Sequence, residues 1–185
     1  MPEIELRNVT KTFNEGKILA VDDVNLKLHD RDYIFILGPS GCGKTTLLKM
    51  ISGLLTPTAG KVLIDGIEVT HAAPQTRGIA FIFQNFEIFP MSVWENCTYS
   101  LQVRGYPKNK IIQEGERALK IVGLLERADE IPQGWSNGDL QRIGLARAIC
   151  SGAKILIMDE PLGSLDPKVN RSFRWELRRI IKESG

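Results

Sequence analysis

The sequence is short of the features that specialise a protein by composition alone. Three cysteines, Cys42, Cys97 and Cys150, lie scattered through 185 residues. That odd number without paired spacing indicates neither a disulfide framework nor a zinc site. Only two histidines are present, His29 and His71, both in stretches that read as surface loops. No apolar run approaches the ~18 residues that a bilayer crossing requires. The N-terminus carries Glu3 and Glu5 where a secretory leader would be basic and then apolar, so the expected location is cytosolic. A net charge of +2 is too small for the electrostatic footprint of a nucleic-acid binder. Repeats and low-complexity linkers are lacking too. What remains is ordinary globular chain, 43% hydrophobic and 25% charged, long enough for one α/β domain with a real core.

The chemistry is concentrated in one run. Residues 38–45 read Gly-Pro-Ser-Gly-Cys-Gly-Lys-Thr, which fits the pattern G-x-x-x-x-G-K-[ST], with Gly38, Gly43, Lys44 and Thr45 in the diagnostic places. Asp32 to Leu37 before it, with Tyr-Ile-Phe-Ile-Leu, reads as a buried strand, and Thr45 to Leu54 after it reads as a helix. Glycines let such a loop turn tightly and aim its N–H groups inward, and the helix N-terminus adds partial positive charge. Lys44 is then placed to meet the β- and γ-phosphates, and the Thr45 hydroxyl to hold Mg²⁺. The loop implies a nucleoside triphosphate. Cys42, inside it, reads as a small side chain suited to a cramped turn rather than as a redox group.

Along the rest of the chain, Ile4–Val9 and Ile18–Leu28 read as strands. Thr56 to Gly60 is a turn, Lys61–Asp65 a short strand, and Asp65-Gly66 a hairpin signal. Gly78–Phe83 is another apolar strand. Residues 93–150 read as helical, with Ile111, Ile112, Leu119 and Val122 at helix spacing, and Ile143, Ala146 and Ile149 on one face of the 136–150 stretch. Lys154–Met158 reads as a last buried strand and Pro167 to about Glu183 as a last helix. Its basic face (Arg171, Arg174, Arg178, Arg179, Lys182) reads as solvated, given Glu176 beside it and the modest overall charge. Strands alternating with helices around a phosphate loop predict a parallel sheet covered by helices. The run Ile155 to Met158 ends in Asp159-Glu160, at the strand edge where ligands gather in open α/β sheets. Asp159 is a candidate for the Mg²⁺ coordination sphere, and Glu160 for orienting or deprotonating the attacking water.

With these residues on the page, the chain resembles the nucleotide-binding subunits of ATP-binding-cassette transporters, most of all the ATPases of sugar-type importers. Phe13 matches the aromatic that stacks on adenine in that family; a core phenylalanine of the N-terminal sheet is the alternative. Gln84 matches the glutamine that touches Mg²⁺ and water and senses the transmembrane partner. Phe89-Pro90 and Glu95-Asn96 resemble the stretch facing the partner's coupling helix. Ser164-Leu165-Asp166 resembles the loop that crosses to the second subunit, and Gln141-Arg142 with Ala146-Arg147-Ala148 fits the helix after the family signature.

The resemblance implies an α/β fold: a P-loop NTPase core with a mainly parallel sheet, an N-terminal antiparallel β subdomain and an inserted helical subdomain over 93–150, all in one nucleotide-binding domain, 1–185. It implies ATP and Mg²⁺ as cofactors. Phe13, Gly38, Pro39, Ser40, Gly41, Cys42, Gly43, Lys44, Thr45, Thr46, Ser136, Asn137, Gly138 and Asp166 would bind nucleotide. Thr45, Gln84 and Asp159 would hold the metal, and Glu160 and Gln84 would act in hydrolysis. The implied partners are transmembrane permease subunits and a second nucleotide-binding subunit, identical or different, with no nucleic acid and no membrane span. The implied location is cytoplasmic, peripheral on the inner face of the cell membrane.

Three departures from the family bear on function. The signature, usually Leu-Ser-Gly-Gly-Gln, reads Trp135-Ser136-Asn137-Gly138-Asp139. Asn137 is the mildest non-glycine residue for a left-handed backbone. Asp139 brings a charge that, ~7 Å from phosphate at an effective dielectric near 20, would cost about 2 kcal/mol. The expectation is a weakened signature facing the opposite subunit's nucleotide, and so an asymmetric site pair if the partner differs. Second, one residue fewer than usual separates Pro90 from the Met91-Ser92-Val93 stretch, which a loop tolerates. Third, the sequence ends before the family's next strand and its γ-phosphate histidine. That strand would lie between the phosphate-loop strand and the one ending at Asp159, so the last core strand is expected to be missing. Two further readings stay open: a non-hydrolysing ATP-binding or regulatory module, and a soluble cassette of translation or DNA repair. The single cassette and the importer-like stretch from Gln84 to Asn96 speak against the latter.

Overall fold

The computed structural model describes residues 3–160, which divide into two units between Ile79 and Ala80. The last helix and Ser164-Leu165-Asp166 lie outside the described residues.

In the first unit β1 (Ile4–Phe13) pairs antiparallel with β2 (Ile18–Leu28) on one side and β3 (Ala59–Ile64) on the other, and β3 pairs with β4 (Ile67–Glu68), in the order β2-β1-β3-β4. Ile4 and Leu6 are buried while Arg7 is exposed, the alternation of a half-covered sheet. The register shifts between Leu6 and Val9, and Asn8 takes a positive φ of 51°. This bulge returns Val9 to the core and lets β1 run on to Phe13, beyond the end at Val9 that simple alternation predicts. Asn8 is tied there by an N–H bond to Asn25 Oδ1 (2.9 Å) and an Nδ2 bond to Asp23 Oδ1 (2.8 Å). Asp65 and Gly66, with φ of 53° and 75°, turn β3 into β4 as the Asp-Gly signal predicts.

Helix α1 (Lys44–Ser52) buries Met50 and Ile51. It stops at Gly53, whose φ of 82° and N–H bond to the Met50 carbonyl close the last turn. A side chain at Gly53 would meet the Arg77 guanidinium, 2.5 Å from its Nε. Arg77 is 5% exposed and spends every donor on carbonyls. Nη1 donates to Met50 (3.0 Å) and Ile51 (2.9 Å), Nη2 to Thr70 (3.1 Å) and Ala72 (3.0 Å), and Nε to Ala72 (3.2 Å).

One expectation fails here. Residues 32–37 do not form a buried strand: no ladder includes 33–37, and Tyr33, Ile34, Phe35 and Leu37 are exposed, Leu37 to 83%. Apolar residues on both faces suit a strand covered on both sides. Among the described residues no strand pairs with this one, and without a ladder the segment is neither strand nor core.

In the second unit β5 (Ile79–Ile82) and β6 (Ile155–Met158) make a two-stranded parallel sheet. Three helices are inserted between them: α2 (Val93–Val103), α3 (Lys108–Val122) and α4 (Asn137–Cys150). Val93, Cys97 and Leu101 recur at four-residue spacing on α2 and meet Ala118, Leu119 and Val122 of α3 and Ile143, Ala146 and Cys150 of α4 in one apolar cluster with Ile82. Ile111 packs against that cluster, whereas Ile112, which the spacing also assigns inward, is 40% exposed. Gly115 lets α3 approach α2 closely, since a Cβ there would lie 2.7 Å from Trp94 and Thr98 side-chain carbons. A capping box starts α2: Ser92 Oγ accepts from the Glu95 N–H (3.2 Å), and Glu95 Oε2 accepts from the Ser92 N–H (2.9 Å).

Candidate functional site

The phosphate loop is built from glycine geometry. Gly41 and Gly43 take φ of 81° and 92°, conformations open to glycine at no steric cost. A side chain at Gly43 would also run into the Ala20 carbonyl oxygen, so β2 leaves no room for one. At Gly38 a Cβ would lie 2.6 Å from Cys42 Sγ, which fits the reading of Cys42 as a small residue in a tight turn. Gly43 is the N-cap of α1 and supplies no side-chain cap, and the first turn holds no acid. No acidic or capping side chain therefore opposes the positive end of the helix dipole, which favours an anion there. Lys44 Nζ donates to the Gly38 (2.9 Å) and Pro39 (2.8 Å) carbonyls, so the loop's cation is held over the loop itself. This cradle fits a polyphosphate. Phe13, at the end of β1, is 37% exposed with Lys11 Nζ 5.3 Å from its ring centre, so it is not the core phenylalanine of the alternative reading.

In the second unit, Gln84, Asp159 and Glu160 follow the C-terminal ends of β5 and β6 and are brought together. The Asp159 N–H extends the pairing to the Ile82 carbonyl (3.0 Å), and Asp159 is buried. Gln84 Nε2 donates to Glu160 Oε2 at 3.2 Å. Glu160 has a φ of 48°, an uncommon left-handed conformation for a residue with a side chain. Such local cost is typical of positions whose aim matters. An amide oxygen and a carboxylate are hard oxygen donors of the kind Mg²⁺ takes, so Gln84 and Asp159 in this unit suit that ion by chemistry, as the Thr45 hydroxyl of the first unit does taken by itself.

Ser136 N-caps α4, its Oγ accepting from the Asp139 N–H (3.2 Å) and donating to Asp139 Oδ2 (2.9 Å). Sequence reasoning missed what surrounds that carboxylate. Arg127 Nη1 and Arg142 Nη1 each lie 3.9 Å from it. Arg127 stacks on Trp135 at 3.5 Å and pairs with Glu130 at 3.0 Å. Only the spacing of Asp139 and Arg142, three apart on a helix, was legible in advance. The stretch resembling the partner-facing segment is likewise organised. Asn96, fully buried, donates to the Phe89, Met91 and Ser92 carbonyls and accepts from the Phe89 N–H. Arg147 of α4 donates to the Glu87 carbonyl (2.7 Å) and covers the Phe89 ring at 4.5 Å. Burial lowers the pKa of Arg147.

A phosphate loop opening a helix, together with paired acids after a parallel strand, defines the P-loop nucleotide-binding class. Comparison with known proteins narrows this. The profile of the ABC transporter family matches residues 21–163, and the chain belongs to that family. It is 38% identical, over its whole length, to the spermidine/putrescine import ATP-binding protein PotA of Acidothermus cellulolyticus, covering 49% of that protein. It is 41% identical over 97% of its length to the oligosaccharides import ATP-binding protein MsmX of Bacillus subtilis, again covering 49%. The chain thus spans about half the length of these curated relatives. Among solved structures, the ATP-binding cassette MJ0796, a dimer in a post-hydrolysis state with ADP and Pi, superposes with a TM-score of 0.82 at 32% identity, covering 98% of this chain and 84% of that one.

Proposed function

We propose that this chain is the nucleotide-binding portion of an importer's ATP-hydrolysing subunit, with the site residues in the roles the resemblance assigns. The observation that carries the reading is the junction of Gln84, Asp159 and Glu160 at the ends of β5 and β6 in a chain whose phosphate loop is intact. Lys44 and the N–H groups of Gly38 and of Ser40 to Thr46 bind the phosphates, with Pro39 shaping the loop, Phe13 takes the base, and Thr45, Gln84 and Asp159 hold Mg²⁺. When bound, that ion neutralises charge on the phosphate oxygens. Glu160 accepts the proton of the attacking water, and the Gln84 amide keeps the Glu160 carboxylate aimed. Ser136, Asn137, Gly138 and Asp166 serve the nucleotide of a second cassette subunit, identical or different. Permease subunits complete the assembly, which places the chain peripherally at the inner face of the membrane; no described helix is long and apolar enough to cross it.

The relatives' names support import in general but point to different cargo, a polyamine for one and oligosaccharides for another. Sugar is therefore one cargo among several for this site, which contains nothing that reads cargo. Substituting Glu160→Gln should keep ATP binding and remove turnover; hydrolysis that survives the change refutes Glu160 as the base. A second reading, a regulatory subunit with little hydrolysis of its own, draws on Asp139, whose carboxylate already engages the Ser136 hydroxyl. Turnover by the unsubstituted chain at the rate of an ordinary cassette would dismiss it.

A further inference from the structure

The far end of β1 loses its neighbour on one side. Pairing of β1 with β3 stops at Thr10 opposite Ala59, whereas pairing with β2 runs on to Phe13 opposite Ile18. The last three residues of β1 are therefore part of a two-stranded ribbon, and Ile18 and Leu19 opposite them are about half exposed. Side chains take over where β3 stops. Lys11 Nζ donates to the Thr56 carbonyl (2.7 Å), the Thr12 N–H donates to Thr58 Oγ1 (3.1 Å), and the Thr58 N–H donates to the Thr10 carbonyl (2.8 Å). Residues 56–58 follow α1, and just before them the Leu55 N–H bonds the Lys49 carbonyl of that helix (3.1 Å). The end of β1 is thus laced to the chain leaving the phosphate-loop helix. A second link runs through β2. Its register with β1 skips Ala20 between the partners of Lys11 and Thr12, and the Ala20 carbonyl is the group that closes off space at Gly43.

The Phe13 ring is 37% exposed, so packing alone leaves it room to turn. Lys11 and Phe13 are two apart on the strand and share a face, and the Lys11 ammonium lies over the ring, 5.3 Å from its centre. One cation therefore holds two things: a carbonyl in the segment behind α1, by a hydrogen bond, and an aromatic face, by cation–π attraction. We infer that Lys11 is a positioning residue for the nucleobase. It fixes the Phe13 ring at a set orientation and distance from the phosphate loop, so that a triphosphate seated on Lys44 meets a base platform already in place. The ring face away from the ammonium is the one left for the base. Lys11 acts through Phe13 and touches no part of the nucleotide. Its benefit is preorganisation, since a ring held before binding loses little freedom when the base stacks on it. The inference rests on the reading of Phe13 as the residue that takes the base.

The test titrates the full 185-residue chain calorimetrically with Mg-ATP and, separately, with magnesium tripolyphosphate, which has the phosphates and no base. Lys11→Met keeps the stem and removes the ammonium. Its ATP affinity should fall about threefold to tenfold, the range of a partly exposed cation–π contact with one hydrogen bond, while its tripolyphosphate affinity stays unchanged. Lys11→Arg can still reach the Thr56 carbonyl and cover the ring, and should keep most of the affinity for ATP. Lys11→Gln should lose as Lys11→Met does, and it reads the result if the methionine variant does not fold. An equal fall for tripolyphosphate overturns the inference, because Lys11 would then act by its charge on the phosphates. Unchanged ATP affinity in Lys11→Met, beside a loss of about tenfold in Phe13→Ala, overturns it too: the platform would matter and its brace would not. If Phe13→Ala binds ATP as the unsubstituted chain does, the reading of Phe13 itself falls and takes the inference with it.

Discussion

Replacing Arg77 with methionine should loosen the phosphate-loop helix although Arg77 lies far along the chain from the loop. The side chain keeps an apolar stem of similar length and loses its five donor bonds to the carbonyls of Met50, Ile51, Thr70 and Ala72. Three of these bonds, to Met50, Ile51 and Thr70, are buried, where water cannot readily replace the lost donor. At about 1–1.5 kcal/mol net per bond, the loss is about 3–4 kcal/mol. Some is returned because a guanidinium no longer needs desolvating; burial already lowers the Arg77 pKa. A net cost of about 3 kcal/mol raises the opening constant of α1 roughly 150-fold. Amide hydrogen exchange over residues 46–52 reads this directly, with urea unfolding followed by circular dichroism as the global measure. Arg77→Lys, with a point charge in place of a planar fork, should recover about half. Because α1 carries the phosphate loop at its other end, affinity for a fluorescent ATP analogue should fall in parallel. A change in α1 protection below about tenfold for Arg77→Met would refute the reasoning, since it would mean that these carbonyls do not depend on Arg77.

Gly43→Ala should weaken nucleotide binding at least about tenfold with little loss of global fold, because its Cβ meets the Ala20 carbonyl and a φ of 92° is strained for alanine; calorimetric titration with ATP checks this. Asn137→Gly with Asp139→Gln should raise ATPase turnover about threefold to tenfold. Removing a charge ~7 Å from phosphate is worth up to about 2 kcal/mol, and the guanidiniums at 3.9 Å already offset part of it; an unchanged rate would show the Asp139 carboxylate to be harmless. The Glu95 carboxyl is held below its usual 4.5 by the Ser92 N–H and then the Ser92 hydroxyl. A depressed folded-state pKa contributes stability that is present above the unfolded value and lost as pH falls through the folded one. Melting temperatures from about pH 6 down to about pH 3 should therefore drop less for Glu95→Gln than for the unsubstituted chain.

Much of the site was legible because its geometry is local. Eight contiguous residues specify the phosphate loop, and only glycine occupies the conformations at Gly41 and Gly43 cheaply. Asp65-Gly66 carries its own turn. Asp159-Glu160 follows an apolar run whose length and end mark a strand edge. The 32–37 segment shows the limit of such reading. Its apolar pattern is that of a covered strand, yet a strand exists only through its neighbours, and alternation says nothing about whether a neighbour is there. The β1 boundary failed for a related reason, since the bulge at Asn8 depends on side chains of β2 seventeen and fifteen residues away.

The sequence by itself determined the nucleotide class, the family and, the 32–37 segment apart, the order of the described strands and helices, and it named the phosphate, metal and base candidates. Each of these rests on residue types at short, fixed spacing, where backbone sterics and hydrogen-bond valence leave few options. Tertiary structure alone decided that Arg77 clasps the end of α1 and that Arg127 and Trp135 flank Asp139. It alone decided that Gln84 holds Glu160 across 76 residues of chain and that Cys97 and Cys150 are buried in one cluster. These contacts are set by how helices and strands pack, and close packing brings together side chains whose separation along the chain carries no signal of their meeting.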